Sequence, residues 1–202
     1  MRKITTAAFL GLLPVLADAQ PSELVTRESG GTMTVPLGFG IALNKNSTLE
    51  RERVGVRHSG FPAEIVGAPS ITCAYASGDK YSRGEYVYRG PVDVLVREPL
   101  AAIEVRVLLF DVWGEHAETL RAVEVADIPA GTSTFKDWGW REWSENECSE
   151  QWASITYVAR VRTKDGRVIA ADPGPVLTEA RRFSRKMTAE ALEPKPLQPP
   201  GK

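Results

Sequence analysis

Histidine and cysteine are scarce in this chain of 202 residues, with two of each, and that scarcity closes off much familiar chemistry. His58 and His116 stand far apart, and neither belongs to an H-E-x-x-H zinc helix. Two cysteines without paired histidines make a poor metal site. The chain has no C-x-x-C, no glycine-rich phosphate cradle, and no G-x-S-x-G elbow around Ser59. The residues therefore call for no cofactor and no metal. An excess of one charge is missing too: Lys+Arg 25 against Asp+Glu 26 gives a net charge of -1. That balance supplies no electrostatic reason to expect nucleic acid or an anionic membrane as partner. Beyond the first residues, no run is long and apolar enough to cross a bilayer.

What is present begins with an export signal. Arg2 and Lys3 form a positive start, Ile4 to Leu16 a short apolar run, and Ala17-Asp18-Ala19 a small-residue cleavage site. Residues 1–19 read as a signal peptide, so the mature protein is expected to be exported, periplasmic or secreted, with no transmembrane segment left. In that setting an even pair of cysteines argues for a disulfide between Cys73 and Cys148. Closing so long a loop contributes on the order of 4 kcal/mol in the chain-entropy model. The alternative is two separate buried thiols. Residues 20–31 are polar and glycine-containing and read as a flexible N-terminal segment. Residues 186–202 read as a C-terminal tail that becomes proline-rich from 193.

Between these ends, residues 32–185 read as one domain of short strands and turns. Its organising stretch is Ile103 to Gly114. Ile103, Val105, Val107 and Leu109 point one way, and Glu104 and Arg106 the other. From Leu108 the second face turns apolar through Phe110 and Val112, while Trp113 continues the first. The pattern predicts a central strand that enters wet on one side and becomes buried on both. Alternating apolar residues also mark Met33 to Leu43, Arg51 to Arg57, Ile71 to Tyr75, Tyr86 to Tyr88, Val92 to Val96 and Thr119 to Val125. Ile155, Tyr157, Ala159 and Val161 alternate with Thr156, Arg160 and Arg162. Asp165-Gly166 then turns the chain into a return strand at Val168-Ile169. After Pro175, Val176, Ala180, Phe183 and Met187 suit one side of a helix, but residues 176–183 suit an edge strand equally. The fold class is all-β, an antiparallel sandwich of the immunoglobulin or fibronectin kind, with that short C-terminal helix left open.

Leu109-Phe110-Asp111 followed by Gly114, and the later Asp127-Ile128-Pro129-Ala130-Gly131, resemble the core of the bacterial FxLYD-type modules. These are small immunoglobulin-like sandwiches of exported proteins. Val107 stands where the family pattern has Phe. The resemblance covers roughly residues 86–140 and implies a binding or structural module rather than an enzyme. It brings no site residues with it.

The stretch with a functional flavour is aromatic. Trp138, Trp140, Trp143 and Trp152 fall within fifteen positions. If exposed, Trp138, Trp140 and Trp143 form a platform for sugar rings or a peptide, with Arg141, Glu142 and Glu145 bonding polar groups. If buried, they fill the core and rim of the sandwich. His116, near Asp111, Glu115 and Glu118, reads as turn solvation rather than a cation loop. His58 reads as a polar residue at a strand end. Three functions stay open: contact with another envelope or extracellular protein, carbohydrate binding on the Trp platform, and an enzyme with an unrecognised site. The first is the reading adopted, so no catalytic activity is expected.

Overall fold

The computed structural model describes residues 25–32, 50–78, 84–142, 148 and 150–195. Its strands are, in chain order, β1 (Val25–Thr32), β2 (Glu50–Val56), β3 (Ala63–Ile65), β4 (Thr72–Ala76), β5 (Glu85–Arg89) and β6 (Val92–Val96). They continue with β7 (Leu100–Asp111), β8 (His116–Glu124), β9 (Gly131–Phe135), β10 (Gly139–Glu142), β11 (Gln151–Thr163) and β12 (Val168–Ala170). A helix, α1 (Pro173–Phe183), follows.

The organising stretch is a central strand, as its pattern predicts. β7 pairs antiparallel with β8 on one side and β11 on the other. β11 runs parallel to β2, and β2 pairs antiparallel with β1. The result is a six-stranded sheet of order β1-β2-β11-β7-β8, with β12 folded back on β11. Two three-stranded sheets, β3-β6-β9 and β10-β5-β4, accompany it. The chain passes from one small sheet to the other at Gly90-Pro91. There a Cβ on Gly90 would lie 2.1 Å from the Ser70 carbonyl oxygen, an approach that only glycine allows.

One core layer joins Ile103, Val105, Val107 and Leu109 of β7 to Ile65, Val92, Val94 and Val96 of the β3-β6-β9 sheet. A second layer lies on the other face of the sheet. There Leu108, Phe110, Ile155, Val54 and Val56 meet Val176 and Ala180 of α1. The protein is thus mostly β, with several sheets, and α1 adds a layer beyond a two-sheet sandwich. Asp172 caps α1 by accepting from Gly174 N at 2.9 Å, Pro173 opens it, and Arg181 and Arg182 complement its carbonyl end. The helical alternative after Pro175 is the one adopted.

Several expectations are corrected. The segment 20–31, read as flexible, contains most of β1, whose partner is β2. Residues 186–195, read as tail, return to the sheet: Met187 and Leu192 are buried in the second core layer. Glu104 and Arg106 do not face water; they are buried, for reasons given below. Trp113 does not continue the buried face, because β7 ends at Asp111 and the turn carries the side chain outward. The alternation Ile155–Tyr157–Ala159–Val161 is interrupted by a register shift between Val158 and Arg160. Val158 and Val161 therefore join the first core layer, while Ile155, Tyr157 and Ala159 join the second. The strand expected at Met33 to Leu43 lies outside the described residues, as do the signal segment 1–19 and residues 196–202.

Candidate functional site

Of the aromatic segment, the structure describes Trp138 and Trp140, which make separate contacts. Trp138 sits between β9 and β10, half-buried, stacked on Phe135 with ring centroids 4.5 Å apart and planes 5° apart. Trp140, on β10, is also half-buried, and its indole Nε1 donates to the Arg121 carbonyl of β8 at 2.7 Å. That bond ties a small sheet to the edge strand of the large one, so Trp140 serves as a brace. Both rings pack on the first core layer. The backbone of Arg141 pairs with Val87; its side chain and Trp143 lie outside the described residues. Trp152 is elsewhere, edge-on to Phe183 at 5.6 Å. Cys73 and Cys148 form the expected disulfide, Cα–Cα 5.4 Å, which fastens residue 148 to β4.

Two hollows flank Trp138. One, of about 330 Å³, is lined by Glu85, Val87, Arg89, Lys136 and Asp137. The other, of about 270 Å³, reaches Glu124, Asp127, Pro129 and Thr134. The polar walls of the first come from β5 and the β9–β10 loop, and those of the second from the end of β8, the β8–β9 connection and β9. The Glu142 side chain and Glu145, which the sequence suggested, lie outside the described residues. Nothing in the local pattern of Tyr86 to Tyr88 gave this away, because β5 and β10 become neighbours only through sheet pairing.

The sequence reading missed two features. The first is Trp113, 78% exposed on the β7–β8 turn. Asp111 Oδ1 accepts from the backbone N–H groups of Trp113 and Glu115 at 2.9 and 2.8 Å. Gly114 adopts φ 73, and a Cβ there would stand 2.9 Å from the Phe183 carbonyl oxygen at the end of α1. The turn is braced from both sides and presents its indole to solvent. The Asp-x-x-Gly spacing was the available signal, since a residue inside so tight a turn points away from the sheet.

The second is an ion cluster around Glu104, which is only 2% exposed. Oε1 accepts from Arg106 Nε at 2.8 Å; Oε2 accepts from Arg121 Nε at 3.0 Å and from Arg160 Nε at 2.8 Å. Arg106 also donates to the Leu192 carbonyl at 3.0 Å and pairs with Glu193 at 2.7 Å. Burial by itself would raise the Glu104 pKa, but bonds from Arg106, Arg121 and Arg160 outweigh it and hold the carboxyl below its ordinary value. The alternating charges on β7, β8 and β11 are thus a cross-strand network, closed by the returning C-terminal segment.

The histidines are also drawn inward. Burial lowers the pKa of His58, against the pull of the Asp172 carboxylate. Burial and the nearby Lys195 lower that of His116, whose Nε2 lies 2.9 Å from Thr119 Oγ1. Among the described residues, no group of three or more His, Cys, Asp or Glu stands together as a metal site. No helix among them is long and apolar enough to cross a membrane.

No family model and no curated protein matches the chain. Among solved structures it is similar to a hypothetical protein from Peptoclostridium difficile 630, at 9% identity and a TM-score of 0.40. The match covers 60% of this chain and 92% of that one. A likeness that distant says nothing about function.

Proposed function

We propose that this chain is an exported, non-catalytic, immunoglobulin-like protein that works by contact with another protein in the envelope or outside the cell. The observation that carries the reading is Trp113: a bare indole on a braced turn. Tryptophan is enriched where binding energy concentrates, and a rigid anchor loses little freedom on binding. The Cys73–Cys148 bridge supports an oxidising compartment. An immunoglobulin-like arrangement is supported by strand pairing. β6 pairs with β9 in one sheet, while β7, lying between them in sequence, pairs with β8 and β11 in another. The test is capture of a partner from envelope fractions by wild type and by Trp113→Ala, with unfolding curves run on both. Loss of about 2 kcal/mol or more of affinity at unchanged stability is expected. Equal capture of a specific partner would remove Trp113 from the site.

A second reading, carbohydrate binding, is favoured by the Phe135–Trp138 stack between two polar-walled hollows. Oligosaccharide-induced change in tryptophan fluorescence, abolished in Trp138→Ala and retained in Trp113→Ala, would select it over the first.

A further inference from the structure

α1 and residues 187–193 cover the outer face of the six-stranded sheet around Leu108, Phe110 and Arg106, and the face continues beyond them. Directly paired residues of antiparallel strands share a side. Glu104 therefore shares its side with Val123 and Arg160, and Ala102 shares it with Arg162, which pairs in turn with Val168. Together Ala102, Glu104, Val123, Arg160, Arg162 and Val168 line a shallow hollow of about 230 Å³. Its valines are unusually bare, Val123 at 43% and Val168 at 63% exposed.

The hollow is positive and its walls are aliphatic. Glu104 is the carboxylate in its lining, and three guanidinium groups already occupy it. Arg160 commits Nε and Nη2 to Glu104. A guanidinium carries five N–H donors, so three remain on a side chain that is half exposed. The Arg162 side chain is exposed and makes no ion pair or hydrogen bond among the described residues. Glu104 thus holds one guanidinium in place beside a second that no described residue engages.

A second copy of this chain fits poorly, because a two-fold contact would set these arginines against their own images. The volume is below the roughly 300–1,000 Å³ of drug-sized pockets, so the occupant is small. We propose that this hollow binds an aliphatic carboxylate. The carboxylate accepts from the outward N–H groups of Arg160 and Arg162, and the alkyl chain lies on Ala102, Val123 and Val168. Both halves of the ligand are needed: the anion for the guanidinium pair, the chain for the exposed valines.

The test is an NMR titration of the full chain that follows valine methyl and arginine Nε–H signals. The probes are hexanoate, acetate (charge with almost no chain) and 1-hexanol (chain without charge). Hexanoate is expected to shift Val123, Val168, Arg160 and Arg162, and to bind about tenfold more tightly than either control. Each fully buried methylene is worth roughly fourfold in affinity, and an open hollow buries the chain only in part. Arg162→Gln, at a side chain with no partner among the described residues, and Val168→Asp, which sets a like charge against the ligand, should each weaken hexanoate binding about fivefold or more. Thermal midpoints of both variants should stay unchanged. An acetate response equal to that of hexanoate, an equal 1-hexanol response, or shifts centred elsewhere would overturn the proposal. So would signals at the hollow that move with protein concentration alone, which would mark a self-association face.

Discussion

The two faces of the central sheet are closed by different means. Toward the small sheets, β7 presents Ile103, Val105, Val107 and Leu109 to an aliphatic layer. Toward α1 it presents Leu108 and Phe110 to a helix, and Glu104 and Arg106 to an ion cluster. The first closure is a packing problem: shape and apolar area decide it. The second adds a polar seal, in which every oxygen of a buried carboxylate must find its donors. Alternation along a strand tells which residues share a side; it does not tell which side faces water. Charge on a strand is evidence of solvent only when no other part of the chain is free to return and cover it.

The comparison is broken most directly by removing the cover. Ending the chain at residue 186 takes away the buried side chains of Met187 and Leu192 and both acceptors that Arg106 finds beyond the sheet. Burial of two such side chains is worth about 3–6 kcal/mol. Urea unfolding of the shortened chain should show that loss, and a near-unchanged midpoint would mean that residues 187–193 are not a seal.

Glu104→Gln tests the polar closure itself. It leaves Arg106 buried with half its counter-charge gone, and turns one of the two oxygens that accept from Arg106, Arg121 and Arg160 into an amide donor facing a guanidinium. Breaking a buried pair from one side costs about 3–5 kcal/mol. A small cost would show that water reaches the cluster, and would reinstate the wet-face reading of β7.

Leu109→Ala probes the dry face. Leu109 is fully buried in the first core layer, and truncating a core leucine costs about 2–5 kcal/mol. The two closures then separate by salt rather than by size. High ionic strength should reduce the effect of Glu104→Gln, through its half-exposed partners Arg121 and Arg160, and leave that of Leu109→Ala unchanged.

The smallest expected effect is on pH dependence. The folded-state pKa values of His58 and His116 lie below the ordinary 6.5. Below about pH 6.5 the unfolded chain therefore binds more protons than the folded one, and stability falls as pH falls. The depressed carboxyls of Glu104 and Glu179 act in the same direction, lower down: their stabilisation is complete above about 4.5 and lost as pH drops through their folded values. Thermal midpoints measured from pH 8 to pH 3 should fall in two stages. His58→Phe should flatten the first stage, and Glu104→Gln the second.

Local pattern alone determined much of this protein. Period-two alternation located β2, β5, β6, β7 and β8, because a strand's side chains alternate whatever lies on either side. Asp165-Gly166 placed the β11–β12 hairpin, and an even pair of cysteines behind an expected export signal pointed to the Cys73–Cys148 disulfide. Other features depended on contacts between residues distant in sequence. β1 needed β2 to exist as a strand. The segment after Pro175 became a helix because the face of β11 and β7 offered Val176 and Ala180 a place to bury. The bulge at Val158–Arg160 changed which side Val161 faces, and no local spacing predicts a register shift. Trp140 became a brace because β8 came within reach of β10, and Trp113 came to lie in solvent because the strand stopped two residues sooner than its apolar pattern. Glu104 and Arg106 look like a wet face until residues 187–193, some eighty positions later, fold over them. Burial belongs to the surroundings of a residue, and those are set only when distant parts of the chain meet.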